Sequence, residues 1–146
     1  MQNMDSSIEE VDILGLAKLA WDLYHTCYLV ARDAPDGFRQ LVNELANLQE
    51  VLRNLRDDVN SNASFFDQLD DSRKQIFGRC LGSCFMTLNR LNELITRYQN
   101  LGIGDGKQLF WQKVKWASQR GHIEELRSKT MVHTCNIRLC MSSIEK

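Results

Sequence analysis

Cys80, Cys84, His133, Cys135 and Cys140 carry the side chains from which a tetrahedral zinc site is made. Their spacing follows no zinc pattern: Cys80 and Cys84 are one helical turn apart, and the other three cluster far downstream. The simpler reading treats the cysteines as small buried hydrophobes and His133 as a half-buried histidine with a satisfied ring, so neither metal nor cofactor is expected. Nucleophilic catalysis would need a nucleophile on a sharp glycine-flanked turn, with a base and a group to orient it. No such arrangement is present. The acid pairs Glu9-Glu10, Asp57-Asp58 and Asp70-Asp71 are adjacent in sequence and point to different sides of a helix, as caps or solvated groups do. The segment Gly102-Ile-Gly-Asp-Gly106 has no strand before it and no Gly-Lys-Ser/Thr ending, so it reads as a turn and not as a phosphate cradle. No catalytic residue emerges, and the expectation is that the chain is not an enzyme.

Two other groups of residues are suited to contact. Trp111, Lys113, Lys115 and Trp116 lie in a basic aromatic stretch, Lys107 to Arg120. That composition suits an interfacial anchor, although lysines laid over packed indole rings describe it more simply. The second group lies in Ile13 to Ala31, the most apolar run of the chain, where Ile13, Leu14, Leu16, Leu19 and Leu23 are the candidates for membrane or oligomer contact. Lys18, Asp22 and His25 interrupt this run, which argues against a constitutive spanning helix. Spaced four and three apart, they give the helix a thin polar stripe. The rest of the circumference is apolar, which suits a helix at the centre of a bundle, wrapped by amphipathic neighbours.

The elements that must position these residues are helical. With 43% hydrophobic and 25% charged residues and a single proline, 146 residues suffice for one domain with a core, residues 1–146, with disorder expected at 1–7 and in the last few residues. Helix one is expected to start near Ser7 or Glu9, with Ser6 or Ser7 as cap, and to end at Asp33-Ala34-Pro35. Helix two carries the seam Phe38, Leu41, Leu45, Leu48, Leu52, Leu55, Val59, and dissolves in Asn60-Ser-Asn-Ala-Ser64. Helix three follows the acids at 70 and 71 with the seam Phe77, Leu81, Cys84, Leu88, Leu91, Ile95, Tyr98, widened by Ile76, Cys80, Phe85 and Leu94, and ends at Leu101-Gly102. Gly78 and Gly82 suggest a close approach of a neighbouring helix. The basic aromatic stretch forms a short helix stopped at Gly121, and a last helix from about His122 to Ile144 turns Ile123, Leu126, Thr130, His133, Ile137, Met141 and Ile144 inward. The fold class is therefore all-α: one bundle of four long helices plus one short basic aromatic helix, largely antiparallel and up-and-down.

The net charge of −1 conceals an asymmetry, with thirteen acids against five bases in residues 1–70 and three against eight in 107–146. Such a dipole favours pairing of the chain's own segments or head-to-tail association. No basic block is dense enough to suggest nucleic acid. Acids stand where a signal peptide or presequence carries bases, and the five cysteines are odd in number, so a cytoplasmic protein with reduced thiols is expected.

Taken in order, Leu14-Gly-Leu-Ala17 with Trp21, Cys27, Asp33-Ala-Pro-Asp-Gly-Phe-Arg39, and Glu44-Leu45 through Leu48 to Val51-Leu52 resemble the fungal N-terminal helical domain. Leu81-Gly-Ser-Cys-Phe-Met-Thr-Leu88, Leu91 to Leu94, Arg97-Tyr98 with Leu101-Gly102, Trp111-Gln-Lys-Val-Lys-Trp116, Ile123-Glu-Glu-Leu-Arg127 and His133-Thr134 continue the likeness over residues 11 to 141. In fungal immune receptors of the signal-transducing NTPase (STAND, NACHT) and ankyrin type, this domain precedes the nucleotide-binding and repeat modules, and these 146 residues contain neither. The resemblance implies a bundle of the HeLo-like group, used in heterokaryon incompatibility and programmed cell death. It also implies self-association and an N-terminal helix released toward membrane, with protein partners, conditional contact with anionic lipid and no small-molecule substrate. A static adaptor for helix-mediated protein contacts is the alternative.

Overall fold

A computed structural model describes residues 12–31, 36–62, 64–101 and 116–144, apart from the side chains of Val30, 97–101 and 116–120. Among these residues the structure is helical throughout: α1 (Ile13–Val30), α2 (Asp36–Ser61), a 3-10 turn (Phe65–Gln68), α3 (Asp71–Leu101) and α4 (Trp116–Ser142). The all-α bundle expected from the sequence is therefore observed. Residues 1–7, Asp33 to Pro35 and the glycine turn 102–106 lie outside the described residues.

Helices α1 and α3 start where a carboxylate meets unsatisfied backbone N–H groups. Asp12 leaves helical angles at φ −80°, ψ 89°, and its side chain accepts from Gly15 N at 2.9 Å. Helix one therefore begins at Ile13 and not near Ser7 or Glu9, because Asp12 supplies the cap that the first-turn amides require. Asp70 caps α3 in the same way, accepting from Arg73 N at 2.8 Å, as the acids at 70 and 71 suggested.

The helices pack as a ring of interfaces, α1 on α2, α2 on α4, α4 on α3 and α3 on α1. Among the described residues α2 and α3 share no main interface, although they follow one another in sequence. The segment between them crosses the bundle, and Phe65 and Leu69 anchor it in the core. Phe66 stands edge-on to Phe65 at 5.0 Å and to Phe77 of α3 at 5.5 Å. The turn formers at 60–64 marked where α2 ends but not this aromatic 3-10 turn, whose Phe-Phe pair has no helical or strand period to read.

The seam of α2 is buried from Phe38 to Leu55, with Val59 half-buried, and Val42 and Val51 widen it. On α3 the seam is buried from Phe77 to Ile95, but Ile76 and Phe85 are about half exposed, and Thr87 is buried instead. Each fully buried leucine contributes roughly 1.5–3 kcal/mol, so these two seams hold the bundle together. The space beside Gly82 is open, so no helix approaches there. The expected stop at Gly121 is also absent: α4 runs unbroken from Trp116 through Gly121. A lone glycine costs a helix about 1 kcal/mol relative to alanine. Burial of Ile123, Leu126 and Ile137 on the inner face of α4 outweighs that cost.

The inner face of α4 is the polar one. Thr130 Oγ1 donates to Leu126 O at 2.7 Å and Thr134 Oγ1 to Thr130 O at 3.1 Å. Thr87 of α3 bonds His133 Nε2 at 2.8 Å across the interface. Among the described residues no buried side-chain polar atom lacks a partner, so this seam is tolerated in the core.

Candidate functional site

The sequence expectation that α1 lies at the centre of the bundle is not met. Ile13, Leu16, Ala17, Ala20, Leu23, Cys27 and Ala31 face the core, while the opposite side of the helix is open. The helix occupies a corner of the ring because α2 and α3 cover one side of it only.

The open side is apolar as well as polar. Leu14, Trp21, Tyr28 and Leu29 are 56%, 44%, 60% and 65% exposed. Leu14, Trp21 and Tyr28 recur every seven residues, so at about 100° per residue they fall in one line along the helix. Lys18, Asp22 and His25 lie in the same band and are exposed, with Lys18 Nζ 2.8 Å from Asp22 Oδ2. Rings brace the middle of the line, Trp21 against His25 at 4.1 Å and Tyr24 against Tyr28 at 6.0 Å. Exposed aromatic and aliphatic side chains interleaved with charges make a surface suited to a protein or an interface, because it gains by dehydration and is still wetted when free.

A groove of about 390 Å3 runs beside it between α1 and α2, lined by Ala17, Lys18, Trp21, Gln49, Arg53 and Arg56. Lys18 and Arg56 have carboxylate neighbours in Asp22 and Asp57, whereas Arg53 makes no ion pair among the described residues. The three cations around an indole favour an anionic group on whatever docks here.

Of the five α1 candidates, Leu14 is on the surface, Leu19 is half-buried, and Ile13, Leu16 and Leu23 are core residues. Trp111, Lys113 and Lys115 lie outside the described residues, and Trp116 opens α4 without a described side chain. Trp21, Tyr28 and Leu29 are exposed, although none of them is among the α1 candidates the sequence offers. The seven-residue spacing of positions 14, 21 and 28 was the available signal.

The candidate metal ligands do not gather at one site. Cys84 and His133 are buried, Cys80 and Cys140 are half-buried and Cys135 is exposed. Among the described residues no three His, Cys, Asp or Glu side chains are grouped to hold a metal ion. Burial pushes the thiols of Cys27 and Cys84 up to about 12, Cys84 being raised further by Cys80, so neither is a ready thiolate. Among the described residues no helix is long and apolar enough to cross a membrane. The chain matches no protein-family model, no curated protein and no solved structure, so these comparisons do not link it to the fungal N-terminal domain.

Proposed function

We propose that this chain is a signalling and interaction module of the fungal innate-immunity or programmed-cell-death type, acting by self-association through α1. The outward line of Leu14, Trp21, Tyr28 and Leu29 carries this reading: a helix apolar on both sides has one side for the core and one for a partner. On activation α1 is exposed further and engages anionic membrane, with Lys18 on its own polar stripe supplying charge. The protein is cytoplasmic and membrane-recruited when activated. Its partners are protein, itself or a receptor domain, with no nucleic acid, substrate or cofactor, and it is not an enzyme. Trp111, Lys113, Lys115 and Trp116 form a second contact.

The bundle is largely antiparallel in this reading. Thr87 pairs with His133, and Cys80 interacts with Cys140, so the count rises along α4 as it falls along α3. The 32–35 link between neighbouring α1 and α2 is likewise short enough for an antiparallel pair.

The static adaptor is the second reading, and the depth of the inner side of α1 favours it. Leu16, Ala20, Leu23 and Cys27 are at most 3% exposed, and releasing α1 would uncover them all. Dye leakage from anionic and neutral vesicles separates the two. Release predicts leakage from anionic vesicles alone, weakened several-fold by Leu14→Glu with Leu29→Glu, surface changes that leave the fold intact. Folded wild type that leaks neither vesicle establishes the adaptor.

A further inference from the structure

The bond between Thr87 and His133 fixes how α3 lies against α4. Two turns back along α3 from Thr87 is Cys80; two turns forward along α4 from His133 is Cys140. That register sets the two thiols beside one another across the α3–α4 interface, close enough for each to act on the other. Both are half-buried, and Cys140 forms part of the wall of a cavity of about 180 Å3 that opens between the exposed side chains of Ile76 and Leu139. We propose that Cys80 and Cys140 are a reversible oxidation site, converted by a small hydroperoxide into a disulfide that ties α3 to α4.

The chemistry balances in two steps. The Cys80 thiolate attacks the terminal oxygen of the hydroperoxide; the O–O bond breaks, Cys80 becomes a sulfenic acid, and the alkoxide takes a proton and leaves as the alcohol, or as water from hydrogen peroxide. Cys140 sulfur then attacks the Cys80 sulfur, and the hydroxyl leaves as water with the Cys140 proton. Two thiols are oxidised and one peroxide is reduced. Burial, and then the neighbouring Cys80, push the Cys140 thiol up to about 11, which keeps it from the first step; in the second, proximity offsets its low thiolate fraction. Hydrogen peroxide is little larger than water and reaches Cys80 because that thiol is itself only half-buried. Cys84 has no such outlet, being wholly buried, and Cys135 stands on the exposed side of α4.

The bridge closes a loop of about 60 residues and should raise the melting temperature by about 5–10 °C. The site does not depend on the functional reading above.

The test treats the full chain with hydrogen peroxide, blocks remaining thiols with N-ethylmaleimide and maps tryptic peptides without reduction. Cleavage after Arg79, Arg90 and Arg138 gives peptides 80–90 and 139–146. They are expected joined through Cys80 and Cys140 in the wild type and in Cys135→Ser, reverting with dithiothreitol, and separate in Cys80→Ser. Wild-type protein in which Cys80 and Cys140 are both alkylated, or in which Cys140 is joined to Cys84 or Cys135, overturns the proposal. Because Cys80 and Cys84 share peptide 80–90, fragment ions of the joined pair place the bridge on one or the other, so the wild-type map decides even if the serine variant fails to fold.

Discussion

His133 occupies a position that would be costly without Thr87. Both side chains are buried, and their 2.8 Å bond satisfies the ring nitrogen whether the hydroxyl donates or accepts. Thr87→Val keeps the volume and removes the partner, so it should destabilise by about 1–3 kcal/mol in urea unfolding. Combining it with His133→Leu should recover much of that loss, since no polar atom is then left alone. The same site sets a pH dependence. Burial lowers the His133 pKa from its ordinary value of 6.5, with Lys129 adding to the shift. The unfolded chain therefore binds the proton more readily than the folded one, and stability rises with pH across the interval between the two values. The contribution is complete above about pH 6.5 and is lost as pH falls through the lower, folded pKa. Melting curves from pH 7.5 to 5 should show the decline, and His133→Leu should flatten it. At this scale the sequence was informative: a histidine between Thr130 and Ile137 on one helical face reads as a satisfied core residue, although its partner 46 residues away has no local signal.

Two helices separate what periodicity reveals from what it hides. The seam of α2 was legible residue by residue because polar side chains stand between its apolar ones and leave one way to bury it. In α1 nearly every position is apolar, so the pattern does not say which side the neighbours cover. That is why Leu16 and Leu23 appeared as contact candidates beside Leu14, while Tyr28 and Leu29 did not. Gly121 misled for a different reason, since a glycine ahead of a periodic run looks like a stop, and the packing that carries α4 through it is tertiary. Because Gly121 lies inside a helix with open space where a Cβ would stand, Gly121→Ala should stabilise by about 0.5–1 kcal/mol. A true helix stop would give the opposite sign. Gly82→Ala should gain as much, because nothing lies within 4 Å of its Cβ position. Gly15→Ala should not, since the new methyl would run into the Asp12 carboxylate and disturb the cap of α1.

For the whole molecule, the corner position of α1 matters more than its composition. A helix wrapped on all sides could act only by leaving the bundle, whereas this one presents Leu14, Trp21, Tyr28 and Leu29 without any rearrangement. Under the proposed function, self-association would come first, and membrane engagement, which must uncover the inner side, would require a further step. The excess of acids in residues 1–70 over the basic residues 107–146 allows copies to attract one another at low salt. Sedimentation velocity of the full chain, from low to high micromolar concentration and with and without anionic vesicles, tests the central claim most directly. The account predicts that the wild type assembles as concentration rises, and that Leu14→Glu with Tyr28→Glu remains monomeric while keeping its helical circular dichroism. A wild type that stays monomeric throughout, or a double variant that assembles equally well, would contradict it.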